Sequence, residues 1–242
     1  MRIPRIFSDQ LLELESESDL DTSASHYVAT VLRMDAGREL VIFNGQGGEY
    51  SGRLTRVSKK SVHFVLDKFI PENKQSPLIS ELAISVSRGE RMDWLIQKAT
   101  ELGVTKITPI ISERTEVKLS GERGDKKLNH WRQVIISACE QCQRNILPTL
   151  NPIISLSDYL GSTQHDLKLI LHTNNNALNF NNIEKPRDVT FLVGPEGGFS
   201  ETEFAICQQK SFLAWQLGPR ILRTETAPIA ALSLLQHRWG DI

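Results

Sequence analysis

The rhythm of apolar and polar positions changes once along this chain, near residue 72. Before it, short apolar runs alternate with polar positions. Glu39–Phe43 ends at Asn44-Gly45, a pair that favours a tight hairpin turn, and Glu49–Thr55 and Val62–Phe69 continue the pattern around a polar turn at Ser58-Lys59-Lys60. Several short strands with tight turns predict a small β-barrel over residues 1–72, with His26–Leu32 as a short helix ahead of Gly37. The stretch Pro71-Glu72-Asn73-Lys74-Gln75-Ser76-Pro77 is polar and bracketed by prolines, so residues 73–78 read as a linker.

Beyond the linker, apolar runs of strand length alternate with helical periodicity. Leu82–Val86 predicts a strand, and Glu90–Leu102 a helix with Met92, Leu95, Ile96, Ala99 and Leu102 on one face. Gly103 sits where a left-handed helix end favours glycine. Ile107–Ile111 is the next strand and Leu128–Gln143 the next helix; Leu167–Leu171, Thr190–Val193 and Leu213–Leu217 complete a parallel sheet. Residues 79–242 are thus expected to form an α/β domain. Thr173–Arg187, with six asparagines, reads as a solvated crossover between two of its strands.

Bulk properties narrow the classes. With 242 residues, 40% hydrophobic and 24% charged, the chain is an ordinary globular one with a core. No apolar stretch is long enough to span a bilayer, and Met1–Phe7 lacks the features of a secretory signal. Three cysteines do not suggest a disulfide framework, which points to a reducing cytoplasm. Cys139-Glu140-Gln141-Cys142 has metal-like spacing without a second pair, and the six histidines show no ligand spacing, so no metal is expected. A net charge of −1 gives no general attraction to phosphate, so any nucleic-acid site must be a local patch.

Chemistry concentrates in two glycine-bearing turns, each after an apolar run and before a helix. The first is Gly194-Pro195-Glu196-Gly197-Gly198, followed by Ser200–Glu203, which fits a capping box, with Phe199 and Phe204 at the positions of a hydrophobic staple. It lacks the glycine-lysine ending of a phosphate loop and the dinucleotide fingerprint, and Glu196 would repel phosphate. A neutral or cationic ligand, such as a sulfonium, suits it better; a plain tight turn is the alternative. The second turn runs from Leu217-Gly218-Pro219 through Arg220 and Arg223, which bracket Ile221-Leu222, to Thr224 or Thr226 as a helix cap. The apolar pair is either an adenine slot with anion-binding neighbours or a core anchor between surface arginines.

Taken together, the segments closely resemble the bacterial 16S rRNA (uracil-N3)-methyltransferase family of the SPOUT superfamily. The resemblance runs over almost the whole chain. It includes Arg2-x-x-Arg5, His26 with Val31-Leu32-Arg33, Gln97–Val104, Pro109 and Arg114, Trp131, Glu140-Gln141 with Arg144 and Pro148, and both turns. It implies a PUA-like N-terminal barrel, a C-terminal α/β domain with a parallel sheet and a deep trefoil knot, and a homodimer whose sites are completed by the partner chain. The cofactor implied is S-adenosylmethionine, held by Leu171, His172, Thr173, Val193, Gly194, Pro195, Glu196, Gly197, Leu217, Gly218, Ile221, Leu222, Thr226 and Ala227. The implied reaction is methylation of a uridine N3 atom in 16S rRNA of the small ribosomal subunit. Arg223 and Arg114 would stabilise uracil anion character, and Glu196 would act as base or orient the sulfonium. His26 and Arg2, Arg5, Arg33 and Arg38 would bind RNA from the barrel, beside an acidic stretch at Glu13–Asp21 that masks them in the net charge. Asn174–Asn182 departs from the family pattern. The alternatives are a superfamily enzyme acting on a ribose 2′-hydroxyl or another base, and a non-catalytic ribosome assembly factor.

Overall fold

A computed structural model describes residues 3–117, 119, 121–173, 178 and 182–242. Arg2 lies outside them, as do 174–177 and 179–181 of the asparagine-rich segment. The chain divides into two compact units: residues 1–75 with Cys139–Leu147, and Ser76–Ala138 with Pro148–Ile242.

In the first unit, β1 (Arg5–Phe7), β3 (Glu39–Phe43), β4 (Glu49–Val57), β5 (Val62–Ile70) and β2 (Glu17–Asp19) pair in that order. Inward residues at every second position of β3 to β5 (Leu40, Ile42, Leu54, Phe64, Leu66) meet Ile6 and Val28 in one apolar cluster. β1 and β2 are the outermost strands of this order, and a helical segment adds Val28 to the core, with Ala24, Ala29 and Leu32 packed against it. That segment begins earlier than the sequence suggests. Asp21 accepts from the Ala24 amide and starts α1 (Thr22–His26), and a π-turn, Tyr27–Val31, follows.

The assignment of Cys139–Leu147 to this unit is not visible in the pattern along the chain, which places it in the second. Its contacts give the reason. Glu140 accepts the Phe7 amide at 3.0 Å, and Asn145 accepts from Arg5 at 2.6 Å and donates to the Glu72 carbonyl at 2.8 Å. Burial pushes the Glu140 carboxyl above its usual range, against the Phe7 hydrogen bond and the Arg5 charge.

The second unit is a parallel sheet in the order β12 (Leu213–Trp215), β10 (Leu167–Leu171), β11 (Asp188–Val193), β6 (Ile79–Ser85), β7 (Lys106–Ile111), β8 (Thr149–Leu150), with β9 (Ile154–Ser155) also on β7. Every pairing is parallel. Leu82, Ala83, Ile84, Leu169, Ile170, Phe191 and Leu192 are all fully buried, which is why these strands read as continuous apolar runs rather than alternating ones. The helices are α2 (Arg91–Glu101), α3 (Glu122–Cys142), α4 (Leu156–Ser162), α5 (Glu201–Gln209) and α6 (Thr226–Trp239). α2 buries Met92, Leu95, Ile96 and Ala99 and ends at Gly103, whose φ of +85° a side chain would strain. Among the described residues no helix is long and apolar enough to cross a membrane.

Candidate functional site

β10, β11 and β12 lie side by side and parallel, so the segments leaving them emerge at one edge of the sheet, the carboxyl edge where α/β proteins bind ligands. The His172 amide donates to the Trp215 carbonyl at 3.1 Å and carries the β10–β12 pairing past the strand ends. Around this edge is a cavity of about 570 Å³, within the usual size of small-molecule sites.

Three segments far apart in sequence line it. Leu171, His172 and Thr173 leave β10; Val193, Gly194, Pro195, Glu196 and Gly197 form the first turn; Leu217, Gly218, Ile221 and Leu222 form the second, with Ala227 from α6 and Arg114 from the segment after β7. Thirteen of the sequence-expected cofactor residues thus share one cavity, and Thr226 is the exception: it is exposed and outside the lining. Arg223 is also exposed and outside the lining, and its carbonyl accepts the Thr226 and Ala227 amides at 2.9 Å each. Those bonds occupy the start of α6, which has Glu225 at its cap and no side-chain cap, so neither Thr224 nor Thr226 plays the capping part expected of it.

The two turns are built differently. Ser200 accepts the Glu203 amide at 3.2 Å while Glu203 accepts the Ser200 amide at 2.9 Å, the reciprocal pair that the spacing predicts. Arg114 donates to the Gly197 carbonyl at 2.8 Å, and Arg91 pairs with Glu196 at 2.9 Å. Glu196 is therefore engaged at the rim and does not stand free as a base. In the second turn, Gly218 takes φ +81°, which lets the chain double back after Leu217. Ile221 is 86% exposed, which removes the reading of this residue as a core anchor.

His172 stacks on Phe204 with ring centroids 4.1 Å apart and planes 26° from parallel. Burial holds its pKa below the ordinary histidine range, so the ring is neutral at neutral pH and puts no positive charge on the wall. Carboxylates of Glu196 and Glu201 and guanidiniums of Arg114 and Arg220 share the lining with apolar side chains such as Leu171, Ile221 and Leu222 and with the glycines of both turns. This composition suits a ligand with an apolar ring system and a cation rather than a polyphosphate.

Residues 74–236 match the model of the RNA methyltransferase domain, and residues 20–67 that of the RNA methyltransferase PUA domain. The chain is 41% identical to a Legionella pneumophila protein solved with the cofactor SAM bound, with a TM-score of 0.97 and full coverage of both chains. It is 38% identical, over 99% of each chain, to ribosomal RNA small subunit methyltransferase E from Neisseria gonorrhoeae, solved bound to S-adenosyl methionine, with a TM-score of 0.93. A protein of the same name from Buchnera aphidicola is 36% identical over 100% of this chain and 98% of its own. The chain belongs to the ribosomal RNA small subunit methyltransferase E family.

In this member of the family, the residues expected to bind RNA from the first unit divide. His26, Arg33 and Arg38 are exposed. Arg5 is not: its side chain is 7% exposed, pairs with Glu49, donates to Asn145 and lies 5.0 Å over the Phe43 ring. It pins its own unit together and has little surface to offer a phosphate, a correction to the sequence reading. Arg2 lies outside the described residues.

Sequence reasoning missed Phe204 as the partner of His172, Arg91 as the partner of Glu196, and the Trp215-Gln216 segment of the lining. Arg91 leaves no signal, because a helix-start arginine is ordinary. Phe204 did carry one, as half of the expected staple. Burial pushes the Cys139 and Cys207 thiols up to about 12, which makes them poor nucleophiles.

Proposed function

We propose that this chain methylates the N3 atom of a uridine in 16S rRNA, using S-adenosylmethionine held in the cavity at the ends of β10, β11 and β12. The observation that carries the reading is that one cavity of about 570 Å³ collects Leu171–Thr173, the first turn and the second turn. The residues present fit the cofactor: the volume suffices, the apolar pair Ile221-Leu222 lines the cavity with both glycine turns, and the neutral His172 ring does not oppose a cation. Relatives of 41% and 38% identity were solved with this cofactor. Bound there, it supplies an electrophilic methyl group on a sulfonium.

The chain's own part is alignment and charge. Uracil N3 becomes a good nucleophile only once its proton is lost, and negative charge then spreads over the flanking oxygens. Arg114 at the cavity wall and Arg223 beyond it are the cations assigned to that charge. Glu196, paired with Arg91, is better suited to hold the rim than to take the proton. Because N3 lies on the pairing edge, the uridine must enter unpaired. The reading extends to a homodimer in which the partner completes each site, to a trefoil knot formed by the segments around the cavity, and to a cytoplasmic setting with the small ribosomal subunit as substrate. His26, Arg33 and Arg38 are assigned to RNA phosphates, which predicts a salt-dependent affinity.

A methyl-transfer assay comparing naked 16S rRNA with small subunits from cells lacking the enzyme tests the reading, with nucleoside mass spectrometry as readout. The expected product is 3-methyluridine. A methyl on a ribose 2′-hydroxyl or another base would replace the N3 assignment, and no transfer to either substrate would remove it.

A further inference from the structure

Arg114 stands in a turn whose own internal bonds do not reach the cavity. The Thr115 amide donates to the Ser112 carbonyl at 3.0 Å, closing the turn Ser112-Glu113-Arg114-Thr115. The Thr115 hydroxyl accepts the Ser112 amide at 2.9 Å, and the Ser112 and Ser85 hydroxyls bond at 3.1 Å, which ties the turn to the end of β6. None of these contacts crosses to the first glycine turn or to α5. Besides the bonds of Arg114 itself, the Glu113 amide does, donating to Glu203 Oε1 at 2.7 Å.

The second oxygen of that carboxylate, Oε2, accepts the Ser200 amide at 2.9 Å. A single side chain on the first turn of α5 thus bridges two backbone amides, one on the Arg114 turn and one at the end of the glycine turn. Capping a helix needs only the Ser200 bond. The Glu113 bond is additional, and it sets the spacing between the two loops whose contact brings Arg114 Nη1 to the Gly197 carbonyl at 2.8 Å. Glu203 itself is outside the cavity lining, so it touches neither ligand nor substrate there.

We propose that Glu203 is a positioning residue for methyl transfer, holding the Arg114 turn against the glycine turn so that the guanidinium meets the uracil. The inference rests on the role given to Arg114 above. Only a carboxylate serves, because it accepts at both oxygens. Glutamine keeps one acceptor and replaces the other with a donor that cannot receive an amide N–H. Aspartate falls one methylene short of spanning both amides.

Two variants separate the bridge from the helix cap. E203Q forfeits one of the two bonds. E113P removes the donor on the Arg114 turn, leaves the capping box intact, and uses the second position of the turn, which accepts proline. The measurements are kcat and KM for small subunits, S-adenosylmethionine affinity by calorimetry, hydrogen exchange over residues 112–115, and melting temperature. Both variants are expected to lower kcat on the order of tenfold, the cost of a small misplacement of a charged group. Cofactor affinity should change less than about twofold, exchange at the turn should speed up, and neither variant should add to R114A, since the three act as one unit. Full kcat in E113P, or losses that multiply with R114A, would overturn the inference. R114A with undiminished turnover would instead remove the role assigned to Arg114, and E113P with unchanged exchange would show that Glu203 does not hold the turn.

Discussion

The two glycine turns face one cavity, yet among the described residues side-chain bonds fasten the first and not the second. The first is closed by the Ser200–Glu203 capping box, crossed by Arg114, and tied through Glu196 to Arg91. The second relies on the left-handed Gly218 and on the Arg223 carbonyl that starts α6, and it leaves Ile221 almost wholly in solvent. The contrast assigns different work to the two walls. A fastened wall holds a ligand at low ordering cost, because little freedom remains to be lost on binding. A wall with exposed apolar and cationic side chains has surface left for RNA or a second chain.

The largest effect should come from the open wall. Arg223 is exposed and its side chain makes no hydrogen bond or ion pair among the described residues, so R223A should leave the melting temperature unchanged. If the guanidinium acts on the developing charge, turnover should fall on the order of a hundredfold, as for loss of an oxyanion donor. Cofactor affinity by calorimetry should hardly move. Equal losses in turnover and affinity would place Arg223 in cofactor binding and blur the contrast between the walls.

On the fastened wall the effect should be smaller and of another kind. S200A removes the acceptor of the Glu203 amide at the start of α5. Loss of such a cap costs about 1 kcal/mol. Chemical denaturation should show that loss, accompanied by a roughly fivefold weaker hold on S-adenosylmethionine. Unchanged affinity would mean that the turn keeps its shape without its cap.

How much of this contrast was legible beforehand follows from the kind of signal each feature leaves. The capping box and the staple are local, set by residues three and five apart, and Ser200–Glu203 with Phe199 and Phe204 announces them. The buried strands read out as apolar runs because both faces are covered, and Leu167–Leu171 has the same bounds in the sequence and in the fold. What fastens the wall is not local: Arg91 lies 105 residues from Glu196, and Glu113 lies 90 from Glu203. No spacing rule reaches that far. Arg5 was misread for a related reason, since an N-terminal arginine reads as exposed until Glu49 and Asn145 are brought to it. The family resemblance supplied the cavity residues, but not which of them are tied down.

His172, between the walls, should give a pH-dependent effect of intermediate size. Burial holds its pKa below the usual histidine value. A histidine kept neutral by the fold contributes its full stability above its unfolded pKa, and that contribution is lost as the pH falls through the window down to the lowered value. Protonation would also put a cation on the cavity wall, which opposes a cationic ligand. Cofactor affinity should therefore be flat at neutral pH and fall a few-fold on acidification, and H172N should flatten that acid limb. An acid limb that persists in H172N would assign the titration to another group.

The smallest effect belongs to Ile221, and it tests the openness of the second wall directly. A side chain 86% exposed contributes little to the folded state, because its apolar surface remains in water. I221S should therefore change stability by less than about 0.5 kcal/mol, the usual range for surface positions. A buried anchor replaced by serine would cost several times more, so denaturation distinguishes the two. Yet Ile221 lines the cavity, and a ligand that covered about 30 Å² of it would gain roughly 0.7 kcal/mol at 25 cal/mol per Å². Calorimetry should thus show about threefold weaker binding of S-adenosylmethionine in I221S at unchanged stability. A large loss of stability would mean that the second turn is anchored after all; unchanged affinity would mean that the ligand leaves this side chain to RNA or to the partner chain.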